Sequence, residues 1–218
     1  MKDWLWAIGC SVLAYLIGSI NFAYLFIKLK TKQNLWEVGT KNVGGFNAML
    51  QTSAFFGGLA GFFDLAKGLG SVLAIIILLP FDDTPFYPTN SNWQLSWHGL
   101  VCILVAGFVT LGHNYSIFLK FRGGRGLGCS LGILWLVNPL VLIIAFVVNL
   151  VFILSTHYVR PAQFVGFLFV LPAAFFIPLF PPWIPLELRS GLFLGLLSFT
   201  LFLVMFPKYF QPFVDMFR

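Results

Sequence analysis

Apolar residues run along this chain in stretches long enough to cross a lipid bilayer, broken by short segments where glycine, asparagine and basic residues collect. A helix needs about 20 predominantly apolar residues to span the hydrocarbon core. The pattern predicts helices over roughly 4 to 27, 53 to 79, 99 to 119, 127 to 137, 140 to 156, 162 to 180 and 190 to 207. The fourth is short and ends at Asn138-Pro139, which predicts a half-depth helix followed by a turn buried in protein. The first run is too long for the core of a signal peptide, and no small-residue cleavage site follows it before the basic loop. The expected fold class is an all-α integral membrane protein of about seven transmembrane helices, a single polytopic membrane domain over residues 1–218.

Composition agrees with the pattern. With 59% hydrophobic residues, 9% charged residues and a mean hydropathy of +0.92, the chain cannot present the charged surface of a soluble domain. Basic residues then orient the bundle. Lys28, Lys30, Lys32, Lys41, Lys120, Arg122, Arg125, Arg160, Lys208 and Arg218, ten of the 13 cations, fall on one side if the spans alternate. Lys2 and Arg189 fall on the other, and Lys67 lies within a span. The positive-inside rule makes the ten-cation face cytoplasmic, with the N-terminus outside and the C-terminus in the cytoplasm; Asp3, Asp82, Asp83 and Glu187 on the outer face weigh little. The net charge of +6 therefore belongs to loops beside anionic headgroups, and no nucleic acid partner is expected.

Cys10, Cys102 and Cys129 are widely spaced in or beside apolar segments and predict packing residues, with no disulfide or metal pattern. Trp4, Trp6, Trp36, Trp93, Trp97 and Trp183 fall near predicted interfaces.

Four polar clusters stand out against this background. Gly18-Ser19-Ile20-Asn21, late in the first span, allows close helix contact and gives Asn21 a chance to hydrogen-bond across helices. Val38 to Asn47 holds three glycines and four polar or charged side chains in ten residues, a nest for an anion or an ordinary helix start capped by Asn42 or Asn47. Asp64 and Lys67, three apart, share one helix face inside a span, where charges turn inward and pair; a structural ion pair is expected. Gly112-His113-Asn114 leads into Lys120-Phe121-Arg122-Gly123-Gly124-Arg125-Gly126. Glycines let backbone N–H groups converge on an oxyanion while cations supply the field. Two glycine-bearing basic loops on one membrane face ask for a small phosphorylated ligand whose reaction partner can arrive from the lipid. Walker, Gly-x-Ser-x-Gly and His-Glu-x-x-His spacings are absent, which argues against an ATPase, a serine hydrolase and a zincin.

In order along the chain, Gly18 to Tyr24, Val38 to Asn47, Asp64 to Gly68, Gly112 to Gly126 and Ser130-Leu131-Gly132 resemble the PlsY-type glycerol-3-phosphate acyltransferases of bacteria. Tyr158-Val159 falls where that family has a similar cytoplasmic turn, and the likeness covers roughly residues 15 to 160. It implies a seven-helix bundle in the bacterial cytoplasmic (inner) membrane with its active face in the cytoplasm. The implied reaction transfers an acyl group from acyl phosphate to the 1-position of glycerol 3-phosphate, giving lysophosphatidic acid and inorganic phosphate. The glycerol hydroxyl would attack directly, without an acyl-enzyme, metal or nucleotide cofactor. On this resemblance Thr40, His113 and Asn114 are the candidate catalytic residues. Lys41, Asn42, Gly44, Gly45, Asn47, Lys120, Arg122, Gly123, Gly124, Arg125 and Gly126 are the candidate phosphate-binding residues.

The chain departs from the family pattern in two places. The family's first loop usually reads Gly-Ser-Gly-Asn-x-Gly-Ala-Thr-Asn-x-x-Arg; here Thr40, Lys41 and Phe46 replace Ser, Gly and Thr, and Leu50 stands at the terminal Arg. A C-terminal motif with His, Asn and Arg is missing from Phe206 to Phe213. Two classes of function follow: an acyltransferase, or a homologue that binds or transports a phosphorylated lipid without turnover.

Overall fold

The long first apolar run is broken where its polar cluster lies. Helix α1 (Lys2–Ser19) stops before Ile20, and α2 (Phe22–Thr31) starts after Asn21, whose side-chain oxygen accepts the Tyr24 N–H at 2.9 Å. A carboxamide in that place satisfies a donor that the first turn of a helix leaves open. The computed structural model describes residues 2–79, 85–87, 95–176 and 180–214; Asp82, Asp83, Trp93 and Arg218 lie outside the described residues.

A short helix α3 (Gly45–Gln51) precedes the long α4 (Ala54–Leu78). Two brief antiparallel strands, β1 (Pro85–Tyr87) and β2 (Leu95–Ser96), lead into α5 (Trp97–Asn114). Helices α6 (Leu127–Val137), α7 (Pro139–Thr156), α8 (Val159–Phe176) and α9 (Gly191–Val214) complete the bundle.

The described residues hold five segments long and apolar enough to cross a membrane: Trp4–Thr31, Ala54–Leu78, Trp97–Leu119, Pro139–Thr156 and Gly191–Phe210. Two apolar helices are shorter, Leu127–Val137 and Pro161–Phe176, which corrects the expectation of about seven full spans. The cause in α6 is plain. Its 11 residues rise about 16 Å, half the hydrocarbon thickness, before Pro139 withdraws a backbone donor. The turn is protected as expected: Asn138 is fully buried and its oxygen caps α7 by accepting the N–H groups of Leu140 and Val141.

Lipid offers no hydrophobic drive to press helices together, so contact relies on small residues that let backbones approach. Helices α1 and α5 meet in this way near their C-terminal ends. A Cβ on Gly18 would overlap the Val109 carbonyl, and one on Gly112 would overlap the Tyr15 carbonyl. Gly68 and Gly132 do the same for α4 and α6, against the backbones of Cys129 and Leu65. No disulfide joins Cys10, Cys102 or Cys129, and Cys102 and Cys129 are buried in the bundle. Phe193, Leu194, Leu197 and Leu201 of α9 are fully buried within the largest apolar cluster. Phe146, Leu154 and Phe176, by contrast, face outward from the bundle.

These seams predict a position-specific response to one added methyl. Gly112→Ala should destabilise the fold by roughly 1–3 kcal/mol through overpacking, read as a lower thermal midpoint in detergent. Gly70→Ala, where nothing lies within 4 Å of the new carbon, should leave that midpoint unchanged or raised.

Candidate functional site

The end of α1 exposes carbonyl groups that its own helix cannot pair. Lys67, buried on α4, takes two of them: its Nζ donates to Gly18 O at 3.0 Å and Ile20 O at 2.9 Å. The same ammonium lies 3.0 Å from Asp64 Oδ1 and 3.0 Å from His113 Nδ1, and His113 Nδ1 lies 3.3 Å from Asp64 Oδ1. Asp64, Lys67 and His113 are all nearly inaccessible. The remaining carbonyl of the break, Ser19 O, accepts the Ser116 hydroxyl at 2.6 Å, while the Tyr15 hydroxyl donates to Tyr115 O at 2.7 Å. One cluster thus joins α1, α4, α5 and the loop after α5.

The loop after α2 is organised from within by Asn47. Its Nδ2 donates to the carbonyls of Leu35, Val38 and Asn42 at 3.0–3.1 Å, and its Oδ1 accepts the Thr40 N–H at 2.9 Å. Asn21 fastens this loop to the helix break by donating to Val43 O at 3.1 Å. Asn47 is fully buried and its polar atoms are taken up by the loop. Neither Asn42 nor Asn47 caps α3, whose N-cap is Gly44.

The loop after α5 folds back on His113. Gly124 donates its N–H to His113 O at 3.0 Å, and a Cβ there would overlap His113 Nε2. A Cβ on Gly123 would likewise overlap His113 O. These glycines permit close packing against the histidine, and the Gly124 N–H is occupied by His113 O. Gly126, at φ +83°, reverses the chain in a conformation that side chains resist and starts α6.

These elements enclose a cavity of about 490 Å³ at one end of the bundle. Thr40, Asn42, Gly44 and Gly45 line it from the first loop, with Asp64 and His113 deeper and Arg125 and Gly128 at the start of α6. The N-terminal end of α6 adds the positive end of its dipole. Arg125 and His113 can therefore face anionic oxygens while the Thr40 hydroxyl can donate or accept. Among the described residues, Arg125 alone of the lysines and arginines lines this cavity.

The other expected cations lie elsewhere. Lys41 and Lys120 are exposed at left-handed turns, φ 56° and 53°. Arg122 lies over the Trp36 ring at 5.6 Å, and Trp36 stacks on Tyr24, so this cation joins the two loops. Asn114 is fully buried outside the cavity lining, and its Nδ2 donates to Val204 O of α9 at 3.1 Å, tying the two helices. Leu50 is exposed and also outside the lining.

Two polar residues of the cavity wall, Gln163 on α8 and Tyr209 on α9, were missed by motif reasoning. Gln163 carried a usable signal as a lone carboxamide inside an apolar segment. Tyr209 carried none, since an aromatic residue near a span end is ordinary; here its ring lies 5.7 Å from the Arg125 guanidinium. A second cavity of about 510 Å³ adjoins the first and shares Leu65, Leu127, Leu131 and Gln163 with it. Its lining is otherwise apolar save for Asn149, and Trp135, Ile143 and Phe146 on its wall also face outward from the bundle.

Comparison with known proteins agrees with the layout. A family model described as glycerol-3-phosphate acyltransferase matches residues 8–214. A relative of that description from Thermosipho melanesiensis is 33% identical over 165 residues, covering 75% of this chain and 72% of the relative. Another, from Anaplasma phagocytophilum, is 35% identical over 153 residues, covering 70% and 71%. Crystal structures of PlsY (YgiH), an integral membrane glycerol 3-phosphate acyltransferase, superpose at 25% identity. Its glycerol 3-phosphate form gives a TM-score of 0.72 with 97% of this chain and 92% of that one covered. Its lysophosphatidic acid form gives 0.67, with 96% and 92% covered.

The role found for Asn47 is open to a direct check. Asn47→Ala strips partners from four backbone groups, at about 1–3 kcal/mol for each one left buried and unsatisfied. Faster tryptic cleavage at Lys32 and Lys41 is expected in the variant, and an unchanged cleavage rate would count against the clamp.

Proposed function

We propose that this chain, which belongs to the glycerol-3-phosphate acyltransferase family, transfers an acyl group from acyl phosphate to the 1-hydroxyl of glycerol 3-phosphate. The observation that carries this reading is the pairing of cavities. A polar chamber bearing Thr40, His113 and Arg125 adjoins, across the shared wall of Leu65, Leu127 and Leu131, an apolar groove whose Trp135, Ile143 and Phe146 face outward from the bundle. A polar phosphate ester and a lipid-borne acyl chain need such a junction. The relative of known structure is named for its glycerol 3-phosphate and lysophosphatidic acid forms, one polar molecule and one acylated product, which suits the same division.

In the reaction the hydroxyl oxygen attacks the acyl carbonyl carbon, the bond from that carbon to the phosphate oxygen breaks, and the hydroxyl proton ends on the released phosphate. Arg125 and the start of α6 face the phosphate charge, and Thr40 and Asn42 face the acceptor. Holding both reactants at the junction supplies much of the acceleration by proximity. Fixed donors stabilise the charge that develops in the transition state.

One observation favours a second reading, a homologue that binds or moves a phosphorylated lipid without turnover. The reaction brings two phosphates, and Arg125 is the one lysine or arginine among the described residues that lines the chamber. Purified protein given acyl phosphate and glycerol 3-phosphate should release lysophosphatidic acid and phosphate. Arg125→Gln should slow this roughly 10- to 100-fold, the worth of a charge-assisted hydrogen bond. Binding of lipid phosphate without product across several acceptors would establish the second reading instead.

We place the chamber on the cytoplasmic face of the bacterial inner membrane, because ten of the 13 cations fall on that side of the span alternation. In a chain freed of its native cysteines, a cysteine at Lys32 or Lys120 should react with an impermeant maleimide only from the cytoplasm. Labelling from outside would reverse the orientation.

A further inference from the structure

We propose that Lys67 locks the imidazole of His113 in its Nε2–H tautomer, so that His113 meets substrate as a fixed hydrogen-bond donor and not as a general base. An ammonium carries three protons and no lone pair. Two of the Lys67 protons go to Gly18 O and Ile20 O, at 3.0 and 2.9 Å, and the third is shared between His113 Nδ1 and Asp64 Oδ1, each at 3.0 Å. A proton on Nδ1 would point at that ammonium, so Nδ1 must offer its lone pair. A neutral imidazole has one donor and one acceptor nitrogen. The proton therefore sits on Nε2.

Asp64 gives the decisive contrast with an aspartate–histidine pair that prepares a base. In such a pair a carboxylate accepts the Nδ1–H and frees Nε2 to take a proton. Here Asp64 Oδ1 makes its shorter contact with Lys67 Nζ, at 3.0 Å, against 3.3 Å to His113 Nδ1. It neutralises the lysine and leaves the imidazole orientation to Nζ. Lys67 and Asp64 are thus positioning residues.

On the other side of the ring, Nε2 packs at Gly124, and no protein group among the described residues pairs with it. His113 lines the polar chamber with Arg125 and Gly128, so the Nε2–H is available to an anionic substrate oxygen there. The ligand it fits is a phosphate or a carbonyl oxygen gaining negative charge. The tautomer stands independently of the reaction; its use on an acyl donor or acceptor rests on the acyl-transfer reading above.

Nitrogen NMR of side-chain-labelled histidine in lipid nanodiscs reads the tautomer directly, with the His113 signal assigned by its loss in His113→Gln. Wild type should give a protonated Nε2 and an unprotonated Nδ1. Lys67→Met should move the proton toward Nδ1, which could then donate to Asp64. A protonated Nδ1 in wild type would overturn the proposal, whether or not the Lys67 variant folds. Turnover gives a second readout. Glutamine carries an amide N–H near the Nε2 position and no basic nitrogen, so His113→Gln should stay within about tenfold of wild type, whereas His113→Ala should lose roughly 100- to 1000-fold, as for removal of an oxyanion donor. A folded His113→Gln as inactive as His113→Ala would refute the donor role. Absence of product from wild type would defeat the acyl-transfer reading alone, with the NMR result still deciding the tautomer.

Discussion

The whole arrangement depends on one buried ammonium. A lysine inside a membrane bundle is costly unless every proton has a partner, and the cost of leaving it unpaired is larger still. Lys67 meets this constraint by gathering the loose carbonyl end of α1, a carboxylate one helical turn away and a histidine from α5. Each partner is thereby held in place by the need to satisfy the same charge. The break at Ile20–Asn21 follows from it: a continuous helix would keep Gly18 O and Ile20 O within its own ladder and deny them to Nζ.

From that point rigidity passes outward. Asn21 holds Val43, Asn47 gathers the rest of its loop, and Ser116 and Tyr15 hold the loop after α5 against the same stretch of α1. Close approach at Gly18, Gly112, Gly68 and Gly132 brings α1, α4, α5 and α6 near enough for these bonds to form. The polar chamber is the space left between two loops that are each pinned to one helix break. Its neighbour, the apolar groove, arises because α6 stops half-way and leaves α7 and α8 to form a wall against α4 and α6.

The cations illustrate how a motif and a fold divide the work. Lys41, Lys120, Arg122 and Arg125 look equivalent in a basic, glycine-rich context. In three dimensions Arg122 covers Trp36, Arg125 reaches the chamber beside Tyr209, and Lys208 of α9 covers Tyr115 at 4.6 Å. Aromatic faces thus anchor the basic rim, and a single guanidinium lines the chamber itself among the described residues. The glycines divide in the same way: Gly124 makes room for the His113 ring, while Gly126 turns the chain into α6.

Sequence alone was enough for the membrane class, the half-depth helix ending at Asn138, the inward pair Asp64 and Lys67, and the family likeness. Each rests on local physics: span length, a proline that removes a donor, or charges that lipid will not accept. It could not distinguish a glycine that exposes an N–H from one that admits a neighbouring ring, because both need only a missing side chain. Nor could it show that Asn47 and Asn114 donate to backbone carbonyls, since a carboxamide serves a carbonyl as well as a phosphate. The break in the first helix and the entry of Gln163 and Tyr209 into the chamber were decided by tertiary structure. They depend on which distant groups arrive beside a residue, and Lys67, 49 positions from Gly18, determines that for the centre of this protein.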